Sequence, residues 1–262
     1  MYVSLAYPWA HRTLIFRALR GLQDYIDVTA VDPIMLENGW EVSDPLYGFD
    51  YAYQLYLKED PSYEGRVTVP IFWDKHIQTI VSNESSEIIR MFNTAFNHLT
   101  GDQTDYYPEN LRSKIDAVNS RVYDTINNGV YLYGFATTQQ AYEKAFKALF
   151  ESLDWVEDIL TKQPYLAGEQ LTEADWRLFT TLIRFDAVYF GHFKTNRQQI
   201  AAYPAISNYL RALYQIQGIA DTVNFEHIKT HYYGSHLTIT PKGILPVGPA
   251  QDFAKTHDRQ SI

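Results

Sequence analysis

Hydrophobic periodicity changes character once along this chain, close to residue 100, and that change limits the folds open to it. Before it, short alternating apolar runs are separated by helical stretches. After it, apolar residues recur every three or four positions almost without interruption. A chain of 262 residues with this break fits two ordinary domains, a mixed α/β unit followed by an all-α unit.

Residues 2–6 read as a strand ended by Tyr7-Pro8, and Pro8 suits a first helical turn because its missing N–H has no partner there in any case. Leu14, Ile15, Ala18, Leu19 and Leu22 then recur at helical spacing, with Gly21 marking the stop. Residues 26–31 alternate like a second strand. Residues 33–66 are polar, aromatic and rich in Gly, Pro and Asp, and they predict a long irregular insertion with one helical turn around 52–57. Loops of that length are uncommon in compact domains unless they are functional. Residues 67–73 and 78–82 predict an antiparallel strand pair turning at Asp74-Lys75. Pro70 inside the first of these marks an edge position or a special backbone feature. Asn83-Glu84-Ser85-Ser86 opens a helix carrying Ile88, Ile89, Met91, Phe92 and Phe96, so the order is β-α-β, long loop, β-β-α.

From Pro108 to about His227 the pattern is helical. Leu111, Ile115, Val118 and Val122 form one stripe, and Ala145, Leu149, Leu153, Val156 and Leu160 another. Thr172 followed by Asp175 has the spacing of a capping box, with Leu171 placed to staple against Trp176. The boundaries expected are 1–99 for the first domain, with its insertion at 33–66, 106–230 for the helical domain, and an irregular tail over 231–262.

The net charge of −9 disfavours nucleic acid and anionic membrane surfaces as partners. No run approaches the ~18 apolar residues of a membrane span, and the N-terminus lacks a secretory pattern, so a cytoplasmic protein is expected. The chain has no cysteine, which excludes disulfides, thiolate-held zinc, iron–sulfur clusters and any cysteine nucleophile of its own. His227 and His231 are spaced to share a helix face, with His236 five residues on, but no carboxylate motif completes a metal set and no metal is assigned.

The motifs sharpen this picture. Ser4-Leu5-Ala6-Tyr7-Pro8-Trp9-Ala10-His11-Arg12 resembles the Cys-Pro-Trp-Ala-His-Arg signature of glutathionyl-hydroquinone reductases, the xi class of glutathione transferases. Val67-Thr68-Val69-Pro70, Asn83-Glu84-Ser85-Ser86-Glu87-Ile88-Ile89-Arg90, Asn127-Asn128-Gly129-Val130-Tyr131 and Gly134-Phe135-Ala136-Thr137 resemble further stretches of that family. So do Thr172-Glu173-Ala174-Asp175-Trp176-Arg177, Arg184-Phe185-Asp186, Gly191-His192-Phe193-Lys194 and the run from His227 to His236. The resemblance covers essentially the whole chain, in order. The leader of several dozen residues that usually precedes the first strand is expected to be absent.

The resemblance implies a thioredoxin-like domain, then the helical transferase domain, and a homodimer. It implies glutathione, or a related thiol, as co-substrate without metal, and an aromatic quinone-type molecule as the second ligand. Tyr7 falls where the family carries its catalytic cysteine, and Thr195 where it carries a second one. A cysteine at a strand-to-helix corner attacks as a thiolate, because the helix N-terminus favours negative charge. Tyr7 cannot form the mixed disulfide; it either donates a hydrogen bond to a bound thiol or fills space. Pro70 resembles the cis-proline that presents the Val69 backbone to glutathione, an isomer that X–Pro bonds reach at little cost. Ser85 and nearby N–H groups would hold the γ-glutamyl carboxylate while Glu84 meets its ammonium, and both also suit helix capping. Trp40 would pack over glutathione. Tyr131 and Tyr232 would line the quinone side, with Tyr123 and Tyr233 as neighbours; His11 and Arg12 suit a solvated or core role better than a ligand. Cysteine-dependent reduction is expected to be absent. The rival expectation is a non-catalytic thiol-binding protein that keeps only the fold.

Overall fold

The computed structural model describes residues 1–259. They divide into two compact units. The first comprises Met1–Gln103 with Asp221–Leu237 and Pro241–Leu245; the second comprises Thr104–Ala220 with Thr238–Thr240 and the chain from Pro246 onward.

In the first unit β1 (Tyr2–Val3) pairs parallel with β2 (Thr29–Ala30), Tyr2 opposite Thr29 and Val3 opposite Ala30. On the other side Tyr2 exchanges both main-chain hydrogen bonds with Ile71, each 2.9 Å. Ile71 leads into β5 (Phe72–Asp74), which pairs antiparallel with β6 (Thr79–Ser82) across a register irregularity at Phe72/Trp73. The expected strands are therefore present but shorter than their alternating patterns.

Helix α1 (Pro8–Leu19) is buried on almost every side, its polar His11, Arg12 and Thr13 included. Thr13 returns its hydroxyl to the Ala10 carbonyl at 2.7 Å, which satisfies it without water. Just past the helix end, Arg20 is held by the Asp102 carboxylate at 2.6 Å and by Asn97 Oδ1 at 2.8 Å. Helix α3 (Ser85–Thr94) packs against α1 through a stripe of Ile88, Ile89 and Phe92. Burying each such side chain contributes about 1.5–3 kcal/mol. A short helix α4 (Asn97–Thr100) follows and stops at Gly101, whose φ is +74°.

The long insertion is more ordered than expected. It contains a hairpin of β3 (Met35–Leu36) and β4 (Gly39–Trp40), then α2 (Tyr53–Glu59). Gly39 has φ +79°, a conformation the tight turn after Asn38 requires and which a side chain would resist.

The second unit is helical: α5 (Arg112–Val122), α6 (Gly129–Gly134), α7 (Gln139–Leu160), α8 (Glu173–Arg184), α9 (Phe190–His192) and α10 (Pro204–Tyr214). Two π-turns, Tyr123–Asn127 and Phe185–Tyr189, interrupt otherwise continuous helical stretches. The apolar stripes expected on α5 and α7 are the buried ones, at Ile115, Val118 and Val122, and at Leu149, Leu153, Val156 and Leu160. The capping box of Thr172 and Asp175 opens α8. Asp175 also accepts from Leu166 N at 2.9 Å and the Tyr209 hydroxyl at 2.8 Å, so one fully buried carboxylate ties three segments together.

The last helix, α11 (Phe225–Ser235), belongs to the first unit, whereas the sequence reading closed the helical domain at 230 and began an irregular tail at 231. Long-range polar bonds draw it back: His231 Nδ1 lies 2.9 Å from the Pro33 carbonyl and Met35 N donates to Ser235 Oγ at 2.9 Å. Among the described residues no helix is long and apolar enough to cross a membrane.

Candidate thiol site at the start of the first helix

Tyr7 is the residue that caps α1. Its backbone is extended, with φ −87° and ψ 126°, and its carbonyl accepts the first helical bond from His11 N at 3.0 Å. Pro8 occupies the first helical turn and contributes no N–H. The remaining first-turn N–H groups and the helix dipole make this corner favour a negative atom.

The Tyr7 ring lies between two indoles. Its centroid is 5.0 Å from that of Trp9 and 6.2 Å from that of Trp40. Trp40 is only 5% exposed and is stacked by His231, with centroids 5.1 Å apart. Trp40 and Val69 belong to one buried cluster, against which Tyr7 packs. The Val69–Pro70 peptide bond is cis, and Pro70 directly precedes Ile71, the residue paired with Tyr2.

At the start of α3, Glu84 is the capping residue. Its carboxylate accepts from Ser86 N at 3.0 Å and from the Ser86 hydroxyl at 3.1 Å. Ser85 is buried, and its Oγ accepts from Arg12 Nη1 at 3.4 Å. Arg12, on the same helix that Tyr7 opens, therefore connects the Ser85 corner to the Tyr7 corner. Of the solvated and core roles open to Arg12 in the sequence, the structure gives the core one and adds a contact from its cation to Ser85. His11 is also buried, with Nε2 2.8 Å from the Thr222 hydroxyl, so it fixes the segment leading into α11.

His231 is the residue the sequence did not single out for this site. Its Nδ1–H donates to the Pro33 carbonyl while its ring supports Trp40. The sequence signals for it are the histidine spacing around 227–236, which suits a metal pair, and the family resemblance of the run from His227 to His236; neither points to a ring against Trp40. His236 packs edge-on against both His231 and Tyr232, and burial pulls its pKa down to about 4.

The two tyrosines expected on the quinone side have different surroundings. Tyr232 on α11 is fully buried beside His231 and His236. Tyr131 on α6 is half-buried within an aromatic group of the second unit, its ring parallel to Phe135 and edge-on to Tyr189 and Phe193. Tyr123 lies in the first π-turn and is largely exposed. Thr195 is buried, 2.6 Å from the Tyr133 hydroxyl, and donates to the Tyr189 carbonyl at 2.7 Å. Burial holds the Tyr133 phenol well above its ordinary pKa.

Residues 8–95 match the glutathione S-transferase N-terminal domain and residues 139–212 the glutathione S-transferase C-terminal domain. The chain is 56% identical to the glutathionyl-hydroquinone reductase YqjG of Escherichia coli K12, over 99% of this chain and 81% of that protein. The chain is a glutathione transferase of the glutathionyl-hydroquinone reductase family. It is also 54% identical to the glutathionyl-hydroquinone reductase PcpF of Sphingobium chlorophenolicum, over 96% of this chain and 82% of PcpF. A glutathione-bound structure of YqjG superposes with a TM-score of 0.97 at 56% identity, covering 99% of this chain and 87% of that one. The xi-class transferase of Phanerochaete chrysosporium gives a TM-score of 0.92 at 57% identity, covering 95% and 88%. The thioredoxin-like and helical transferase architecture expected from the motifs is the architecture found.

Proposed function

We propose that this member of the family binds glutathione, or a closely related thiol, at the Tyr7 corner and activates it without ever bonding to it covalently. The observation that carries the reading is the position of Tyr7: a phenol at the N-terminal cap of α1, against Trp9 and Trp40, in a chain with no cysteine. A hydroxyl there can donate to a thiolate and lower the cost of ionising it, as the helix terminus also does. A phenol cannot exchange with a disulfide or be displaced as a thiolate is. Reductive deglutathionylation of a glutathionyl-hydroquinone, which proceeds through a mixed disulfide, therefore has no attacking group.

Ser85 and the first N–H groups of α3 hold the γ-glutamyl carboxylate in this reading, with Arg12 behind Ser85 adding positive charge. Glu84 keeps one carboxylate oxygen for the ligand ammonium while the other caps the helix. The Val69 main chain pairs with the cysteinyl backbone, and Trp40 covers it. The names of the reductases and the aromatic side chains Tyr131 and Tyr232, each taken in its own unit, support an aromatic quinone-type partner. A homodimer is part of the same reading, supported by the family resemblance alone.

The packing of Tyr7 against the core cluster also supports a second reading, in which the ring only fills the place of a thiol and the protein binds without chemistry. Calorimetry with glutathione, followed by a conjugation assay with an activated halo-nitroarene, separates the two. The proposal expects binding, measurable conjugation, and at least a tenfold loss of rate in Tyr7→Phe with little change in affinity. Binding with no conjugation supports the second reading, and absence of binding to glutathione and to other cellular thiols refutes both.

A further inference from the structure

The second unit contains a cavity of about 290 Å³ that has no part in the thiol site. It lies between α10 and the returning tail, lined by Pro164, Tyr165, Leu213, Ile216, His257 and Arg259 among others. Arg259 is 7% exposed, and its two Nη groups are spent on main-chain carbonyls: Leu160 at 2.7 Å, Gln163 at 2.8 Å and Pro164 at 2.6 Å. These bonds anchor the tail to the C-terminal end of α7, where a cation is favoured. They leave Nε buried with no hydrogen-bond partner, and His257 Nδ1 is buried and unpartnered as well.

No carboxylate among the described residues forms an ion pair with Arg259. Asp258, next to it, is exposed and accepts from Asn208. Asp175 is occupied by Leu166 N, Thr172 N and the Tyr209 hydroxyl. Tyr209, whose ring lies 5.9 Å from the guanidinium, and Tyr165 are both held neutral by burial. Asp258 and Asp175 attract the guanidinium only from beyond hydrogen-bond range, so its direct acceptors are all neutral, an expensive arrangement for a buried cation that a bound anion would relieve.

We infer that this cavity binds a small aromatic carboxylate, its head toward the side chains of Arg259 and His257 and its ring against Leu213, Ile216, Pro164 and Tyr165. The volume sits at the small end of ordinary ligand pockets of roughly 300–1,000 Å³, which suits one ring and a short acid arm. A charge-assisted bond to a buried donor supplies the affinity, and the apolar wall selects an arene over a free inorganic anion. The site lies wholly in the second unit and stands or falls apart from the thiol reading.

The test is calorimetry of the full chain with phenylacetate, in the presence and absence of saturating glutathione. Saturable one-to-one binding is expected, unchanged by glutathione. Phenylacetamide, the same shape without the charge, should bind at least tenfold more weakly. Ala212→Trp fills the cavity from a half-buried position on α10 and leaves the carbonyl bonds of Arg259 in place; it should weaken phenylacetate at least tenfold without lowering the melting temperature. Arg259→Met should do the same to binding, with some loss of stability from the freed tail. Equal binding of the amide, competition by glutathione, unchanged affinity in Ala212→Trp or no saturable binding would each overturn the assignment.

Discussion

The imidazole of His231 lies against the indole of Trp40, with ring centroids 5.1 Å apart and planes 22° from parallel. The two residues are 191 positions apart in sequence. One sits in a hairpin of the long insertion and the other on the last helix, so α11 forms part of the wall of the first unit's candidate site. His231 is locked in turn by its bond to the Pro33 carbonyl, two residues before the hairpin begins.

Removing that wall should be felt at the ligand. His231→Ala loses the stacked ring and the Pro33 bond and is expected to weaken glutathione binding about five- to tenfold, the equivalent of roughly 1 to 1.4 kcal/mol. His231→Phe keeps a ring against Trp40 and should recover much of that affinity. Calorimetry beside thermal melts checks this: a lowered melting temperature with unchanged affinity in His231→Ala would make the contact structural only.

Ser85 offers a cleaner separation of binding from folding. The Glu84 cap on Ser86 N does not depend on the Ser85 hydroxyl, whose own protein bonds are long, 3.5 Å to Glu84 Oε1 and 3.4 Å from Arg12 Nη1. Ser85→Ala should therefore weaken glutathione about tenfold or more, the worth of a hydrogen bond to a charged group, while shifting stability by no more than about 2 kcal/mol. An unchanged dissociation constant would remove Ser85 from the site.

The buried carboxylate of Asp175 should matter to stability and not to the thiol. It receives bonds from Leu166 N, Thr172 N and the Tyr209 hydroxyl, and its burial raises its pKa. Asp175→Asn replaces one acceptor oxygen with a donor and is expected to cost about 3 kcal/mol, lowering the melting temperature by roughly 6–12 °C. A shift below about 2 °C in a thermal scan would contradict this network.

His236 gives the first unit an acid sensitivity of known sign. Burial lowers its pKa to about 4, against an ordinary value of 6.5, so the unfolded chain binds a proton that the folded chain refuses between those values. Stability should therefore be full above about pH 6.5, fall as pH drops toward 4, and level off below. The His236 part of the slope is at most about 1.4 kcal/mol per pH unit. Denaturant titrations of wild type and His236→Gln across this range should converge as the pH falls; parallel curves would contradict the assignment.

Much of the fold was legible locally. The helix stripes on α5 and α7 and the capping box at Thr172 and Asp175 depend on residues a few positions apart, and periodicity reports those directly. The cis bond before Pro70 was legible only with the family motif beside it. The hairpin ending at Trp40 had a signal in Asn38-Gly39, hidden by the polar composition around it. The return of α11 had no local signal, because the atoms that hold it are on Pro33, Met35 and Trp40, nearly two hundred residues upstream. Arg12 was left open between a solvated and a core role for a related reason: only the fold, by placing α3 beside it, buries the side chain and sets it at Ser85.

The central claim is that the Tyr7 corner retains a thiol cradle and lacks only the exchanging atom. The most direct measurement is the turnover of a glutathionyl-hydroquinone with glutathione by the wild-type protein and by Tyr7→Cys, with intact-mass analysis of the variant during turnover. The expected result is background turnover for wild type, a rise of orders of magnitude in Tyr7→Cys, and a glutathione adduct on that cysteine. Comparable turnover by the wild type, or a Tyr7→Cys protein that folds yet neither reacts nor carries the adduct, would contradict it.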